Sequence, residues 1–294
     1  MSLFKGSGVA LVTPFYNDKI DYESMYRLID YVVDNGADAI IVCGTTGEAS
    51  TLSYDEQIEC IKKCVEYVDG RVCVIAGTGS NCTKSAVKLS ITAESLGVDG
   101  LLVVTPYYNK CTQNGLKQHY KMISDNVSIP ILMYNVPSRT GVNIEPSTAL
   151  DIVKNNKNVV GIKEASGNIS QVARLAYLKA ENNIDMDIYS GNDDQVLPIL
   201  SLGGVGVISV NANVIPKDMH NLVYSYLSGN YKKSSLLNEK AILYSQVLFS
   251  EVNPIPVKRA LYELGIIKSD ELRLPLTRME DKNVKELKKV LKKN

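Results

Sequence analysis

The 294-residue sequence has no tryptophan, only two histidines and no excess of charge of either sign. Lysine and arginine together number 32, and so do aspartate and glutamate, so the formal net charge is zero. Proteins that bind nucleic acid or an anionic membrane through charge present a basic excess, which this chain does not offer. The sequence therefore predicts no nucleic-acid partner and no membrane partner.

Long apolar runs are also missing, since no segment approaches the roughly 18 residues that a membrane-spanning helix needs. The first six residues lead directly into a strand pattern and lack the apolar core and cleavage site of a signal peptide. Hydrophobic residues make up 45% of the chain and charged residues 22%, as in an ordinary globular protein with a full core. We therefore expect a cytoplasmic protein.

The six cysteines all fall within the first 111 residues, and none forms a Cys-x-x-Cys pair. With only two histidines to join them, a zinc site built from cysteine and histidine has little support. Cys60 and Cys64 are four residues apart, which on a helix places them on the same face. We expect reduced thiols and no metal.

What the sequence does contain is a repeated alternation of strand-like and helix-like segments. Eight near-continuous apolar runs are typical of strands buried on both faces of a parallel sheet: 8–15, 39–46, 72–79, 100–108, 130–137, 159–166, 186–192 and 204–212. The helical patterns between them include 24–35, 54–68, 83–96, 115–127, 146–155 and 169–182. Eight such repeats predict an α/β fold, a (β/α)₈ TIM barrel.

The chain beyond the eighth strand is longer than one closing helix requires. Four more helical patterns follow, at 217–227, 231–250, 256–264 and 282–292. We therefore predict a barrel over residues 1–216, which carries the active site, and a C-terminal helical extension over 217–294 that packs on the barrel.

Lys163 stands out because it lies in the apolar run Val159-Val-Gly-Ile-Lys. Taking an ammonium group out of water is costly, and a lysine that loses its proton becomes a nucleophile that forms Schiff bases with carbonyl groups. The alternative is a lysine at the strand's end that reaches solvent or pairs with Glu164. The segment alone leaves both readings open.

The ends of the other predicted strands carry residues suited to the same chemistry. Active sites of TIM barrels lie at the C-terminal ends of the strands, where these side chains would converge. Schiff-base chemistry needs an amine, hydroxyl groups that move protons and donors for a carboxylate. The sequence offers Thr45 and Thr46, Tyr107 and Tyr108, Tyr134 and Arg139, together with Lys163 and Gly191.

Simpler explanations exist for some of these residues. The segment 44–47 also suits a turn whose hydroxyls cap the next helix. Tyr107 and Tyr108 are adjacent on an extended segment and should face opposite ways, so at most one is expected in this chain's pocket. The glycines at 203, 204 and 206 precede the eighth strand, and we interpret them as a tight strand entry rather than a phosphate site.

Four segments together identify a family: Cys-Gly-Thr-Thr-Gly-Glu at 43–48, Tyr-Asn-Val-Pro-Ser-Arg-Thr-Gly at 134–141, Gly-Ile-Lys-Glu-Ala-Ser-Gly at 161–167 and Asn-Pro-Ile-Pro-Val-Lys at 253–258. In this order, and on these strands, they resemble the 4-hydroxy-tetrahydrodipicolinate (dihydrodipicolinate) synthase family of the pyruvate-dependent class I aldolases. The resemblance runs nearly end to end, from 8–15 to 272–277.

The resemblance implies a carbon–oxygen lyase that condenses pyruvate with L-aspartate 4-semialdehyde, in the diaminopimelate route to lysine. Lys163 would attack the pyruvate carbonyl and form an imine. Tyr134 would donate and accept protons, linked through Thr45 to Tyr108 in a relay to solvent. In this family the residue matching Tyr108 reaches the neighbouring subunit's site, which implies a dimer, usually paired into a homotetramer.

The same resemblance implies the substrate contacts. Thr46 would hold the pyruvate carboxylate with its hydroxyl and backbone N–H, while Gly191 and Ile208 would line the pocket through their main chain. Arg139 would bind the carboxylate of the semialdehyde, for which a planar guanidinium is suited. No cofactor is implied, because the iminium is itself the electron sink.

Other functions remain open at this point. Sialic acid lyases and keto-deoxy sugar acid aldolases share the lysine, the tyrosine and the Gly-Thr-Thr-Gly-Glu turn, so only Arg139 argues against them. A surface ion pair would explain Arg139 without any substrate. A non-catalytic barrel that senses pyruvate or acts as a scaffold would be expected to lose the relay residues, which this chain keeps.

Feedback inhibition by L-lysine is expected to be weak. Family members that respond to lysine tend to supply a glutamate on the third helix and histidines after the Thr-Thr-Gly-Glu turn. The matching positions here are Ser85, Tyr54 and Gln57, so the carboxylate that would pair with the lysine ammonium is missing.

Overall fold

Eight parallel strands close into a barrel in the computed structural model, which describes residues 2–292. The first strand of the barrel pairs with both the second and the last, so the sheet has no free edge. The barrel strands are β1 Gly6–Ala10, β4 Ala39–Val42, β5 Cys73–Gly77, β6 Gly100–Val104, β7 Ile131–Asn135, β8 Val159–Glu164, β9 Asp187–Ser190 and β10 Gly206–Ser209. The predicted (β/α)₈ TIM barrel is confirmed.

The intervening helices largely match the predicted segments. They are α1 Tyr22–Asp34, α2 Tyr54–Val68, α3 Thr83–Ser95, α4 Gln113–Ser124, α5 Pro137–Thr140, α6 Pro146–Asn155, α7 Ile169–Glu181, α8 Val196–Ser201, α9 Pro216–Leu227, α10 Tyr231–Leu248, α11 Ile255–Glu263 and α12 Asp281–Leu291. Helix α2 begins with a capping box, in which Ser53 and Glu56 each accept a hydrogen bond from the other's backbone N–H. Two short antiparallel strands, β2 Phe15–Tyr16 and β3 Lys19–Ile20, lie outside the barrel.

Strand residues alternate between two apolar cores. In β4, Ile41 packs inside the barrel with Ile75 and Leu132, whereas Ile40 packs in the apolar layer between the strands and the surrounding helices. Both isoleucines are buried. Burial on both faces explains why the strands read as continuous apolar runs in the sequence.

The barrel is closed at the end where its strands begin. Phe4, just before β1, stacks on Tyr189 with ring centroids 4.5 Å apart. The Tyr189 hydroxyl donates to the Phe4 carbonyl at 2.6 Å. Two aromatic side chains therefore fill this end of the barrel, opposite the rim at which the strands end.

The C-terminal helices cover one side of that rim. Helix α9 packs against β1, α10 packs against α9 and against the 3₁₀ helix Asp193–Gln195, and α11 and α12 pack on each other. The division into residues 1–216 and 217–294 stays a prediction. No helix within residues 2–292 combines the length and the apolar character needed to cross a bilayer.

Candidate active site

A cavity of about 530 Å³ opens at the C-terminal ends of the barrel strands. Its wall includes three of the predicted site residues, Thr45, Tyr134 and Arg139, together with Tyr107. The wall also receives residues from the C-terminal extension, among them Asn253. The cavity therefore lies where the fold predicts an active site, between the barrel rim and the extension.

Lys163 is buried next to Tyr134. The two residues face each other in the register of β7 and β8, and the Lys163 amine lies 4.4 Å from the centroid of the Tyr134 ring. Lys163 is only 6% exposed. Its amine has no hydrogen-bond or carboxylate partner within residues 2–292, so neither the solvent-exposed strand end nor the Glu164 ion pair is observed. A lysine amine that makes no hydrogen bond and no ion pair is available to attack a carbonyl group.

Gly191 leaves the room that the Lys163 side chain occupies. A Cβ atom added at Gly191 would lie 3.1 Å from Cε of Lys163 and 2.6 Å from Cβ of Ala165. Any larger residue would therefore push on the lysine. Gly191 follows directly after β9, at the rim where the sequence predicted it.

Ile208 and Asp193 lie on the β10 side of the barrel, and neither is among the described residues that line the cavity. Ile208 is fully buried in the barrel interior, in the same cluster as Tyr134. The carboxylate of Asp193 accepts hydrogen bonds from the Ser209 hydroxyl and from the backbone N–H groups of Val210 and Asn211. Burial raises the pKa of Asp193, and the positive charge of Lys163 acts in the opposite direction. Asp193 thus fixes the backbone that continues from Ile208.

Thr45 and Thr46 lie in a tight turn after β4. The turn is closed by backbone hydrogen bonds from Gly47 to Gly44 and from Glu48 to Thr45, both 3.1 Å long. The Thr46 hydroxyl accepts a hydrogen bond of 3.0 Å from the Asn253 side-chain amide. Because that hydroxyl oxygen is used as an acceptor, its own proton stays free to be donated to an anion.

Tyr107 and Tyr108 face different surroundings, as predicted. Tyr107 lines the cavity, whereas Tyr108 is 89% exposed and has a positive φ of 75°. The predicted relay therefore has Tyr134 and Thr45 at one cavity, but its third member lies outside that cavity in the single chain.

Arg139 is exposed at the mouth of the cavity. Its guanidinium donates to the Asn253 carbonyl at 3.3 Å. Within residues 2–292 it has no carboxylate partner, so the surface ion pair considered from the sequence is not observed. The remaining donors of the guanidinium are available to a ligand.

Glu164, next to Lys163 in sequence, belongs to a separate buried network. Its carboxylate accepts hydrogen bonds from the Asn135 side chain at 3.2 and 3.1 Å, from the Ser166 backbone at 2.7 Å and from Gln171 at 3.3 Å. Asn135 lies opposite Glu164 in the β7–β8 register. The network therefore helps to hold the register that sets Tyr134 beside Lys163.

Sequence reasoning assigned no role to Glu48, Asn253 or Lys258. Glu48 and Lys258 form a buried ion pair between the turn after β4 and the extension. Asn253 contacts both Thr46 and Arg139. Two of the four family segments end in Glu48 and Lys258. A charged residue at the end of each segment, next to apolar residues, was the signal that could have found the pair.

No group of three or more histidine, cysteine or acidic side chains suited to a metal occurs within residues 2–292.

Comparison with known proteins agrees with this arrangement. Residues 3–294 match the model of the dihydrodipicolinate synthetase family. The 4-hydroxy-tetrahydrodipicolinate synthase of Caldicellulosiruptor bescii is 55% identical, over 99% of this chain and 97% of its own. Synthase 1 of Clostridium acetobutylicum is 53% identical, over 99% and 98%.

Solved structures give the same result. Dihydrodipicolinate synthase from Thermotoga maritima superposes with a TM-score of 0.97 at 49% identity, over 99% of both chains. A monomeric dihydrodipicolinate synthase variant superposes with a TM-score of 0.96 at 49% identity, over 99% of this chain and 96% of its own. On the family match and on these identities, the chain belongs to the dihydrodipicolinate synthetase family.

Proposed function

We propose that this enzyme condenses pyruvate with L-aspartate 4-semialdehyde to give 4-hydroxy-tetrahydrodipicolinate, by way of an imine between pyruvate and Lys163. The observation that carries the proposal is the buried Lys163 amine, unpaired and 4.4 Å from the Tyr134 ring centroid. Relatives that are more than half identical over nearly their whole length bear the name of this synthase.

The first half of the reaction needs Lys163, which lies beneath the cavity against Tyr134, together with residues of the cavity wall. The Lys163 amine, once it has given up its proton, adds to C2 of pyruvate, and the carbonyl oxygen leaves as water once it has been protonated. The resulting iminium withdraws electrons from the neighbouring methyl group, so loss of a proton gives an enamine without any cofactor. Tyr134, whose ring lies against the Lys163 amine, is assigned the proton transfers, and Thr45 lines the same cavity.

The second half forms a carbon–carbon bond and closes a ring. The enamine carbon attacks the aldehyde carbon of the semialdehyde, whose oxygen takes up a proton. The amino group of the semialdehyde then adds to C2 and displaces Lys163, which is released as the free amine. Thr46 is assigned to the pyruvate carboxylate and Arg139 to the semialdehyde carboxylate, and the free proton and free guanidinium donors described above support both assignments.

We further propose that the working unit is a dimer, paired into a homotetramer. The support is Tyr108, an aromatic side chain that is 89% exposed next to a cavity whose relay lacks its third member. Leu274, 81% exposed beside the cavity residues Pro275 and Leu276, is a second apolar side chain with no cover in the single chain. Sedimentation velocity measures the assembly directly, and a monomer that is fully active when dilute would contradict the proposal.

We place the enzyme in the cytoplasm. The support is its cysteine chemistry: all six thiols are free, including the exposed Cys82. Unpaired cysteines of this number are typical of a reducing compartment.

Trapping with borohydride tests the proposed reaction. Pyruvate plus borohydride should inactivate the enzyme and add the mass of the reduced imine to the peptide that contains Lys163. Lys258 serves as an internal control, since it is also buried but ion-paired. Lys163→Arg should keep the fold and lose nearly all activity, because a guanidinium stays protonated.

Two results would overturn the proposal. One is labelling of a different lysine, or of none. The other is cleavage of N-acetylneuraminate or of a keto-deoxy sugar acid at a rate above that of the condensation, which would assign the same imine chemistry to a sister enzyme.

A further inference from the structure

A fully buried ion pair joins the C-terminal extension to the turn after β4. The carboxylate of Glu48 pairs with the Lys258 amine, and their side chains are 1% and 0% exposed. The same amine donates to the Glu271 carbonyl at 2.9 Å and lies 4.0 Å from the centroid of the Phe15 ring. The other oxygen of Glu48 accepts a hydrogen bond of 3.2 Å from the Arg273 backbone. Both charges are thus held by the interior of the protein alone.

Such a pair is expensive to bury and is not by itself a source of stability. Removing two charges from water costs about as much as their attraction returns, and apolar residues of the same size often serve as well. Burial lowers the pKa of Lys258 to about 8, although the Glu48 carboxylate acts to raise it. A costly pair at this place calls for a role other than holding the extension to the barrel.

The backbone of the turn indicates what that role is. Glu48 has a positive φ of 53°, a conformation that residues other than glycine rarely adopt. Its N–H closes the turn by donating to the Thr45 carbonyl. A residue keeps a sparsely populated backbone conformation only when its surroundings hold it there. Here the ion pair between the Glu48 carboxylate and the Lys258 amine holds it.

We propose that Glu48 and Lys258 are positioning residues, which hold the turn 44–48 so that the Thr45 and Thr46 hydroxyls stay directed toward pyruvate. The inference rests on the proposed function and deepens it. Lys258 is completely enclosed and does not contact substrate, so it acts through the turn. The extension thereby becomes part of the pyruvate site.

A kinetic comparison separates positioning from a purely structural role. The variants are Glu48→Gln, Lys258→Met and the double variant, in which no buried charge is left without its partner. Arg259→Met is the matched control, because Arg259 follows Lys258 on α11 and pairs with Glu263 and Asp270, away from the turn. For each protein the readouts are urea unfolding, the KM for each substrate and the rate of imine trapping by borohydride.

Positioning predicts a defect that is specific to pyruvate. In the double variant the pyruvate KM should rise and imine trapping should slow by about 10- to 100-fold, the loss that a displacement of about 1 Å brings to a reacting group. The KM for the semialdehyde, measured at saturating pyruvate, should stay close to that of the unmodified enzyme. Arg259→Met should lower the resistance to urea and leave both KM values and the trapping rate unchanged.

Two results would overturn the inference. In the first, the folded double variant or folded Glu48→Gln keeps the pyruvate KM and the trapping rate of the unmodified enzyme. In the second, that variant loses as much toward the semialdehyde as toward pyruvate. Failure of the proposed function looks different, because then the unmodified enzyme itself forms no imine with pyruvate.

Discussion

The contact between Gly191 and Lys163, the proposed nucleophile, makes Gly191→Ala a sharp perturbation. The new methyl carbon would lie 2.6 Å from Cβ of Ala165 and 3.1 Å from Cε of Lys163. Carbon atoms prefer separations of about 3.5–4.0 Å, so Cβ of Ala165 must move away by roughly 1 Å and Cε of Lys163 by roughly half an ångström or a little more. One of the two side chains that must move is that of Lys163, the proposed nucleophile.

The magnitude follows from the sizes of these displacements. Extra volume in a packed interior costs about 1–3 kcal/mol of stability, and the lower half of that range applies because only one methyl group is added. A shift of about 1 Å at a reacting group costs up to about 100-fold in rate. We therefore expect a modest loss of stability but a 10- to 100-fold slower formation of the pyruvate imine, about 1.4–2.7 kcal/mol of activation free energy.

The assay measures the rate of borohydride-trapped imine at fixed pyruvate, with urea unfolding in parallel. Gly44→Ala is compared for urea unfolding only, since Gly44 belongs to the turn 44–48; its methyl group would meet Ile41 at 3.7 Å and should cost little stability. The combination of Gly191→Ala with Ala165→Gly removes the 2.6 Å contact while leaving those to Cε of Lys163 and to the Glu164 carbonyl oxygen, both 3.1 Å. It should recover stability and stay slow. A Gly191→Ala enzyme that forms the imine at the original rate would refute the reasoning.

Three further changes test other parts of the structure. Arg139→Ala should raise the semialdehyde KM far more than the pyruvate KM, by about 2–5 kcal/mol if the substrate buries the contact, and an equal effect on both in steady-state assays would argue against it. L-Lysine should inhibit only above the millimolar range in initial-rate assays, because Ser85 supplies no carboxylate for the ammonium group of the inhibitor. The ring of Tyr54 is already in contact with another ammonium group, that of Lys88, 4.1 Å from its centroid. Half-inhibition at micromolar lysine would disprove this. Glu56→Gln should destabilise the enzyme by about 1–3 kcal/mol near pH 7, because a hydrogen bond from Arg273 lowers the pKa of Glu56 from 4.5 to about 2. That stability is fully present above the unfolded pKa of 4.5 and is lost as the pH falls toward the folded pKa of about 2. The urea unfolding curves of the two proteins should therefore converge near pH 2 to 3. A difference in stability that stays constant with pH would exclude the ion pair as the cause.

The fold was predictable because burial on two sides leaves a strong trace in the sequence. The helices 54–68 and 146–155 were predicted with the observed bounds, since a capping box and a first-turn proline mark their starts. The strands were predicted too long at their C-terminal ends. The second apolar run was extended to residue 46, whereas the strand ends at Val42 and the chain turns at Cys43, with a positive φ of 53°. The predicted range thus included the turn residues Gly44, Thr45 and Thr46, which have no strongly apolar side chain, because the end of a strand is set by backbone pairing that the local sequence does not report.

The sequence was enough to select the candidate site residues, whose roles stay proposals, but not the residues that support them. A lysine in an apolar strand draws notice by itself, as Lys163 does. The pairing of Glu48 with Lys258 joins residues 210 positions apart, and no local pattern reports which charge meets which. Glu164 was considered only as a partner of Lys163, yet it turns to the other side of the strand and joins Asn135 and Gln171. Long-range pairing is decided by how the barrel closes, which the local sequence does not encode.

Asn253 has a consequence for how the two substrates influence each other. Its side chain donates to Thr46 and its carbonyl accepts from Arg139, so a single residue connects the groups assigned to the two carboxylates. If a substrate that binds at Thr46 or at Arg139 shifts Asn253, it changes the free energy with which the second substrate binds at the other residue. Thermodynamic reciprocity then fixes the size of the effect, because the factor by which pyruvate alters the affinity for a semialdehyde analogue equals the factor by which the analogue alters the affinity for pyruvate.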